Sequence, residues 1–273
     1  HITALSRNPK ELIIASGSED GTIVVYDVVS CRREILDRHR SKVNFVLWSS
    51  DGKKLISGDN DGKVVFWDTT TFEAICEVDG HPSPVIGAVW SPGNRYILTF
   101  SREGTISVYN PQTGKIIYRL RDPSGAISSV DWSPDCSRIV SGSYDGKIRI
   151  FDLKLVRTRI LGEHKHIVSH VFWRKNDIIV SVGWDGKIIS WDPQTMERIA
   201  EVGRHTTPII HAELTKNERY LATSSLDKTI GVWDLEKSTE IVTLRGHKQL
   251  ISNINWNPRK NLLLSVSWDA TII

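Results

Sequence analysis

The stretch SVGWDGKIISWD, residues 181–192, contains the dipeptide Trp-Asp twice, seven residues apart, and a single strand pair does not need both for the same reason. An acidic residue recurs at the position of Asp185 as Asp20, Asp61, Glu103, Asp145, Asp227 and Asp269, so that the successive intervals along the chain are 41, 42, 42, 40, 42 and 42 residues. Self-similarity at a near-constant period marks a repeat architecture. Six residues after each acid stands an aromatic, Tyr26, Trp67, Tyr109, Phe151, Trp191 and Trp233, followed by Asp27, Asp68, Asn110, Asp152, Asp192 and Asp234. Four residues before each acid stands a hydroxyl: Ser16, Ser57, Thr99, Ser141, Ser181, Thr223 and Ser265. A histidine precedes five of the acids by 21 or 22 residues: His39, His81, His164, His205 and His247.

Each unit reads as short strands separated by turns, as in ISSVDWSP (127–134), SRIVSGSYD (137–145) and KIRIFD (147–152), with a fourth such as EIVTLRG (240–246). Asp-Gly at 20–21, 61–62, 145–146 and 185–186 predicts type I′ hairpins, in which both central residues take positive φ. Strands such as TIVVYD (22–27) and KVVFWD (63–68) are apolar on both faces. That pattern fits sheets sandwiched between neighbours better than sheets with one wet face.

The frame of His, Ser/Thr, Asp and Trp resembles the WD40 repeat family, over the whole chain and in seven consecutive copies. The resemblance implies an all-β fold, a seven-bladed WD40 β-propeller with four antiparallel strands per blade and the last blade incomplete. It implies a single domain over 1–273, with units of approximately 1–39, 40–81, 82–123, 124–164, 165–205, 206–247 and 248–273. It also implies a structural network in which Trp191 donates its indole N–H to Ser181, Ser181 contacts His164, and His164 contacts Asp185. Ser57, His39, Asp61 and Trp67 form a second such set, and Thr223, His205, Asp227 and Trp233 a third. Burying an indole N–H or a carboxylate without a partner costs about 1–3 kcal/mol, so the four residue types belong together.

The two Trp-Asp pairs then separate. Trp191 is architectural, whereas Trp184 occupies a slot just before the turn acid that also holds Glu19, Asn60, Arg102, Tyr144, Leu226 and Trp268. In the family this slot resembles the upper rim of the central channel, a docking surface for peptides. Two further rim slots follow from the resemblance. One holds His1, Lys42, Pro84, Ala126, Ile167, Pro208 and Leu250; the other holds Thr3, Asn44, Ile86, Ser128, Ser169, Ile210 and Ser252. Units one and two are polar there, with Glu19, Lys42, Asn44 and Asn60. Units four to seven present Tyr144, Ile167, Trp184, Pro208, Ile210, Leu226, Leu250 and Trp268, an apolar arc of the kind that marks interaction surfaces, with Arg102 as a neighbouring charge. The competing reading folds some of these rings inward to plug the channel. Trp48, Trp90, Trp132, Trp173 and Trp256, in WSSD, WSPG, WSPD and WNPR contexts, are expected in the core.

The remaining sequence excludes more than it assigns. A net charge of +3 creates no global field towards nucleic acid or an anionic membrane. Cys31, Cys76 and Cys136 are scattered, without metal or disulfide spacing, and read as reduced thiols. No apolar run of 18 residues predicts membrane insertion, and no leader is visible. Ser57, His39 and Asp61 have the composition of a hydrolase triad, but a set that recurs in three units argues for structure. The Gly-Lys pairs at 62–63, 146–147 and 186–187 lack the rest of a phosphate loop, and His164, His166 and His170 lack a metal-site rationale once His164 is assigned to the repeat. No enzyme activity, cofactor, metal or small-molecule substrate is expected.

Unit four replaces Gly-His with Asp122-Pro123 and pairs Asp145 with Phe151, so its tie is expected to be missing; unit three, with Glu103 and Tyr109, is expected to be weak. Unit five is shorter around Arg174-Lys175-Asn176. The pattern stops at Thr271-Ile272-Ile273, within a third strand, which predicts a longer parent chain. The leading functional reading is a non-catalytic scaffold or adaptor that docks peptides or proteins on the upper rim within a multiprotein complex. An intracellular setting is expected, the cytoplasm ahead of the nucleus. One alternative is an RNA or single-stranded nucleic-acid reader, with Trp184, Trp268 and Tyr144 stacking bases while Arg102 and Lys42 meet phosphate. Another is a propeller serving a catalytic domain elsewhere in the parent chain.

Overall fold

The computed structural model describes residues 1–257 and 262–273, so Pro258 and Arg259 of the WNPR motif lie outside the described residues. The chain divides into two compact units, His1–Ile127 and Ser128–Ile273. Almost all regular structure is β, arranged as antiparallel meanders in which each strand pairs with the next.

The first unit holds three four-stranded sheets. Their strands are Ile2–Arg7, Ile13–Ser18, Thr22–Asp27 and Arg33–Asp37; then Val43–Trp48, Lys54–Asp59, Lys63–Asp68 and Ala74–Asp79; then Val85–Trp90, Ile97–Ser101, Thr105–Tyr109 and Ile116–Arg121. The second unit holds three more. The fourth sheet, which opens at the boundary, has Ile127–Trp132, Arg138–Ser143, Lys147–Asp152 and Arg157–Glu163. The fifth has Val168–Trp173, Ile179–Gly183, Lys187–Asp192 and Glu197–Arg204, and the sixth has Ile209–Leu214, Tyr220–Ser225, Ile230–Asp234 and Thr239–Leu244. A seventh, two-stranded sheet pairs Ile251–Asn257 with Leu262–Ser267, and a bridge from Val266 to Ile272 begins a third rung.

The core lies between sheets, as strands apolar on both faces require. Val140, Ile148 and Leu161 of the fourth sheet pack with Val168, Trp173, Ile179 and Trp191 of the fifth. Val182, Ile188 and Val202 of the fifth pack in turn with Ile209, Leu221 and Trp233 of the sixth. The second strand of the fifth sheet is accordingly covered on both sides: every residue of Ile179–Gly183 is buried. Of the five core tryptophans, Trp48, Trp132 and Trp173 are buried, and Trp90 and Trp256 are half-buried.

The turn chemistry differs from the type I′ expectation. Asp20, Asp61, Asp145 and Asp185 do not take positive φ; the glycine after each does, as at Gly186 with φ +78°. The Gly186 N–H bonds the Gly183 carbonyl at 3.0 Å, so Trp184 and Asp185 are the central residues of the turn and Gly186 closes it in the left-handed region. Lys228 (φ 68°) and Ala270 (φ 62°) take that conformation in the sixth and seventh sheets. This turn places the residue before the acid at a corner, where its side chain stays in part exposed to solvent. The variability of that slot follows from its position.

Candidate functional site

Three complete polar ties are present among the described residues. In the fifth sheet, the Trp191 indole N–H donates to Ser181 Oγ at 2.7 Å, His164 Nε2 lies 2.8 Å from the same hydroxyl, and His164 Nδ1 lies 2.8 Å from Asp185. The carboxylate only accepts, so Nδ1 carries the proton; Nε2 then accepts the serine hydroxyl, whose oxygen accepts the indole. Burial works to raise the Asp185 carboxyl, but the hydrogen bonds it accepts from His164 and from the Lys187 and Lys165 N–H groups outweigh it and hold the group at about 2. In the sixth sheet Trp233 meets Thr223 at 2.8 Å, His205 Nε2 meets Thr223 at 2.8 Å, and Asp227 stands 3.4 Å from His205 Nδ1. Burial lowers the His205 ring against the pull of Asp227.

The second sheet forms its tie with a different carboxylate. Trp67 donates to Ser57 at 2.8 Å and His39 Nε2 meets Ser57 at 2.7 Å, but His39 Nδ1 bonds Asp59 at 2.7 Å, not Asp61. Asp59 ends the second strand and points inward beside Ser57, since residues two apart in a strand share a face. Its other oxygen accepts the N–H groups of Asp61 and Lys63, at 3.0 and 2.9 Å, and Asp61 itself is exposed. In the fifth sheet the position of Asp59 is Gly183, and a Cβ there would lie 2.6 Å from His164 Nδ1 and 2.9 Å from Asp185. The absent side chain leaves room for Asp185 to reach in from the turn. The Ser57, His39 and Asp59 side chains are sealed from solvent, and Ser57 Oγ is already held by Trp67, so this triad-like set has no access to a substrate.

The weaker units differ from one another. In the third sheet His81 Nε2 bonds Thr99 at 2.6 Å, Thr99 contacts the Tyr109 hydroxyl at 3.3 Å, and Glu103 is exposed. His81 Nδ1 has no hydrogen-bond partner among the described residues, and burial, helped by Arg119, pushes the ring down to about 4. The fourth sheet, expected to lack a tie, instead buries Arg149, whose guanidinium grips Asp145 through contacts of 3.1 and 2.5 Å. The sequence signal was present in the alternation of KIRIFD, where Arg149 shares a face with Phe151. The shortened loop of the fifth unit is also tied: Arg174 Nε donates to the Glu218 carbonyl at 2.9 Å, and Asp177 accepts the Trp173 indole at 2.7 Å.

The residues expected on the rim fall into three environments. Tyr144, Trp184, Leu226 and Trp268, at turn corners of four consecutive sheets of the second unit, are 57%, 42%, 46% and 70% exposed. Arg102, at the same position in the first unit, is exposed. Ile167, Pro208 and Leu250 are half-buried, and their carbonyls accept the N–H groups of Trp184, Leu226 and Trp268 at 2.8, 3.1 and 2.9 Å. Each corner residue is thereby clamped beside its partner on the first strand. Ile210 lies in a different environment, because its slot is the extra residue of a β-bulge, skipped in the pairing between Ile209 and His211. Polar residues in that slot reach the neighbouring sheet: Thr3 bonds the Val43 carbonyl, Asn44 the Val85 carbonyl at 3.0 Å, and Ser128 the Val168 carbonyl. The bulge slot is a staple between sheets, and Ile210 is half-buried in it.

A second line of inter-sheet contacts had no sequence signal. Asp131 accepts the Trp173 N–H at 2.8 Å and Glu213 the Trp256 N–H at 3.1 Å. Burial raises Asp131 to about 6 and Glu213 to about 7. Beside them His170 and His211 meet edge to face at 4.9 Å, and burial, with His211 adding, pushes His170 down to about 3.

Sheets tied by histidine, hydroxyl, carboxylate and tryptophan at a near-constant period define a WD-repeat β-propeller protein. The chain belongs to the IFT122 first beta-propeller family, whose model matches residues 1–272. It is also similar to the Transcriptional corepressor LEUNIG_HOMOLOG of Arabidopsis thaliana, 32% identical over 32% of this chain and 11% of the relative. The DDB1- and CUL4-associated factor 11 homolog of Caenorhabditis elegans is 28% identical over 40% of this chain and 21% of its own. The human F-box-like/WD repeat-containing protein TBL1X is 32% identical over 38% and 18%. The matched stretch is thus at most about a fifth of the length of these curated relatives. No helix among the described residues is long and apolar enough to cross a membrane.

Proposed function

We propose that the chain is a non-catalytic scaffold whose seven repeats build the blades of one propeller, and that it docks a protein or peptide on the turn corners of its second unit. The observation that supports this reading is the pairing of exposed Tyr144, Trp184, Leu226 and Trp268 with a rigid base. Three of the four are fixed by a backbone hydrogen bond to a half-buried apolar residue on the first strand. Aromatic side chains held in place lose little entropy on binding, which is why they dominate binding hot spots. Their exposure favours docking over a channel-filling role. Membership of a WD-repeat family and relatives named as corepressor, associated factor and F-box-like protein support a role within protein complexes. The three unbridged cysteines fit an intracellular setting, and we place the chain in the cytoplasm ahead of the nucleus.

The test compares wild-type protein with a Tyr144→Ala, Trp184→Ala, Trp268→Ala variant of matched thermal stability as baits in cell extract. Proteins retained by the wild type and lost by the variant support the reading. Unchanged retention refutes the corner surface as the docking site. If the retained material is nucleic acid released steeply by moderate salt, the base-stacking alternative takes its place.

A further inference from the structure

The turn joining the third and fourth strands of the fourth sheet, Leu153–Val156, carries chemistry that the fold does not use. Leu155 and Val156 are 70% and 76% exposed, two consecutive aliphatic side chains standing in solvent. Val156 also holds φ +48°, in the left-handed region that β-branched residues avoid. The same backbone position is taken by Phe72, Gly114, Met196 and Ser238 in the second, third, fifth and sixth sheets, where the three residues before it are Thr69-Thr70-Thr71, Pro111-Gln112-Thr113, Pro193-Gln194-Thr195 and Leu235-Glu236-Lys237. The turn geometry therefore asks for neither an aliphatic pair nor a valine.

The charges around this tip are also one-sided. Lys154, Arg157 and Arg159 are exposed, and none of them has an ion-pair partner among the described residues. On the outer strand of the fifth sheet, by contrast, Glu201 neutralises Lys187, Arg198 and Arg204 at 3.3, 3.0 and 2.8 Å. Asp152, opposite Arg157 in the strand pairing, is the one acid of this stretch, and it spends one carboxylate oxygen on the N–H groups of Lys154 and Leu155, at 2.9 Å each. The first sheet repeats the chemistry independently: Val28 and Val29 are 44% and 76% exposed at the corresponding turn, and Arg32 and Arg33 follow.

We propose that the Leu153–Val156 tip is a contact point for an anionic lipid surface. Leu155 and Val156 enter the boundary between headgroups and acyl chains while Lys154, Arg157 and Arg159 face the anionic headgroups. Apolar insertion and attraction to anionic lipid act together in interfacial binding. Charge complementarity selects an anionic partner. The aliphatic pair at the end of a strand turn offers a single point of insertion, and the boundary between headgroups and acyl chains takes apolar groups at such a point without a complementary surface. The contact lies on the surface of the bilayer and requires no spanning segment.

The test is flotation of the 273-residue chain with vesicles of phosphatidylcholine alone or with about 30% phosphatidylserine, where three cations near an anionic surface should enrich binding about tenfold or more. A Leu155→Ser, Val156→Gly variant and an Arg157→Glu, Arg159→Glu variant, both of unchanged unfolding midpoint, should each fall to the phosphatidylcholine level. Glycine suits φ +48°, so the first variant relieves the backbone and its loss of binding is not a loss of fold. Equal binding to both vesicles, or full binding by the Leu155→Ser, Val156→Gly variant, overturns the proposal. Binding to a soluble polyglutamate peptide without binding to vesicles also overturns it and assigns the tip to a protein partner. The Tyr144→Ala, Trp184→Ala, Trp268→Ala variant should retain vesicle binding, which separates this proposal from the docking site above.

Discussion

His39 Nδ1 lies 2.7 Å from the carboxylate of Asp59, both side chains sealed from solvent, while the turn residue Asp61 stays outside. Replacing Asp59 with Ala leaves a buried ring N–H without its acceptor and frees the N–H groups of Asp61 and Lys63. The expected loss is about 2–4 kcal/mol in urea unfolding. Asp61→Ala should stay within about 0.5 kcal/mol of wild type, as surface substitutions do.

The frame of the fold was legible because it is periodic: hydroxyl, acid and aromatic recur at fixed offsets, and the strands around them are apolar on both faces. The choice between Asp59 and Asp61 was not. Both are acids near one turn, and only the inward face of Lys54–Asp59, together with the room left by Gly183 in the fifth sheet, separates the two solutions. The bulge at Ile210 was hidden for a related reason. One extra residue shifts the register without changing composition, so a slot that looks like rim in sequence becomes a staple between sheets.

Arg149 and Asp145 form the polar anchor of the fourth sheet. Asp145→Ala removes the bidentate acceptor of a buried guanidinium, and the expected cost is about 2 kcal/mol, below that of a fully buried pair because Asp145 is 31% exposed. Thermal or urea unfolding of the variant measures it. A neutral effect would show that the remaining contacts of Arg149 suffice.

The third sheet has an incomplete tie, with His81 Nδ1 unpartnered and Glu103 outside. Amide exchange in Ile97–Ser101 and Thr105–Tyr109 should be faster than in Ile179–Gly183 and Lys187–Asp192, where the tie is complete. Hydrogen exchange read by mass spectrometry checks this directly.

Stability should fall on acidification through the buried histidines. The folded His81 and His170 rings are held near 4 and 3, below the ordinary 6.5, so between those values the unfolded chain binds protons that the folded chain does not. From pH 7 to pH 5 each contributes a loss of about 2 kcal/mol. Asp131 and Glu213, raised to about 6 and 7, act in the opposite sense, since their neutral folded forms gain relative stability as pH falls towards the ordinary carboxylate range. The comparison with His170→Phe isolates one ring, because Phe keeps the aromatic contact with His211 and does not titrate. Urea unfolding at both pH values should show the variant losing about 2 kcal/mol less than wild type. An identical loss would exclude His170 as a source.

The most direct test of the account is whether the two Trp-Asp pairs of residues 181–192 do different work, read as the unfolding free energies of Trp184→Ala and Trp191→Phe measured side by side. Trp191→Phe removes the indole donor to Ser181 and shrinks a buried ring, and should cost about 2–3 kcal/mol. Trp184→Ala truncates a side chain at an exposed turn corner and should change stability by less than about 0.5 kcal/mol. Comparable losses in the two variants would contradict the division between an architectural tryptophan and one free to meet a partner.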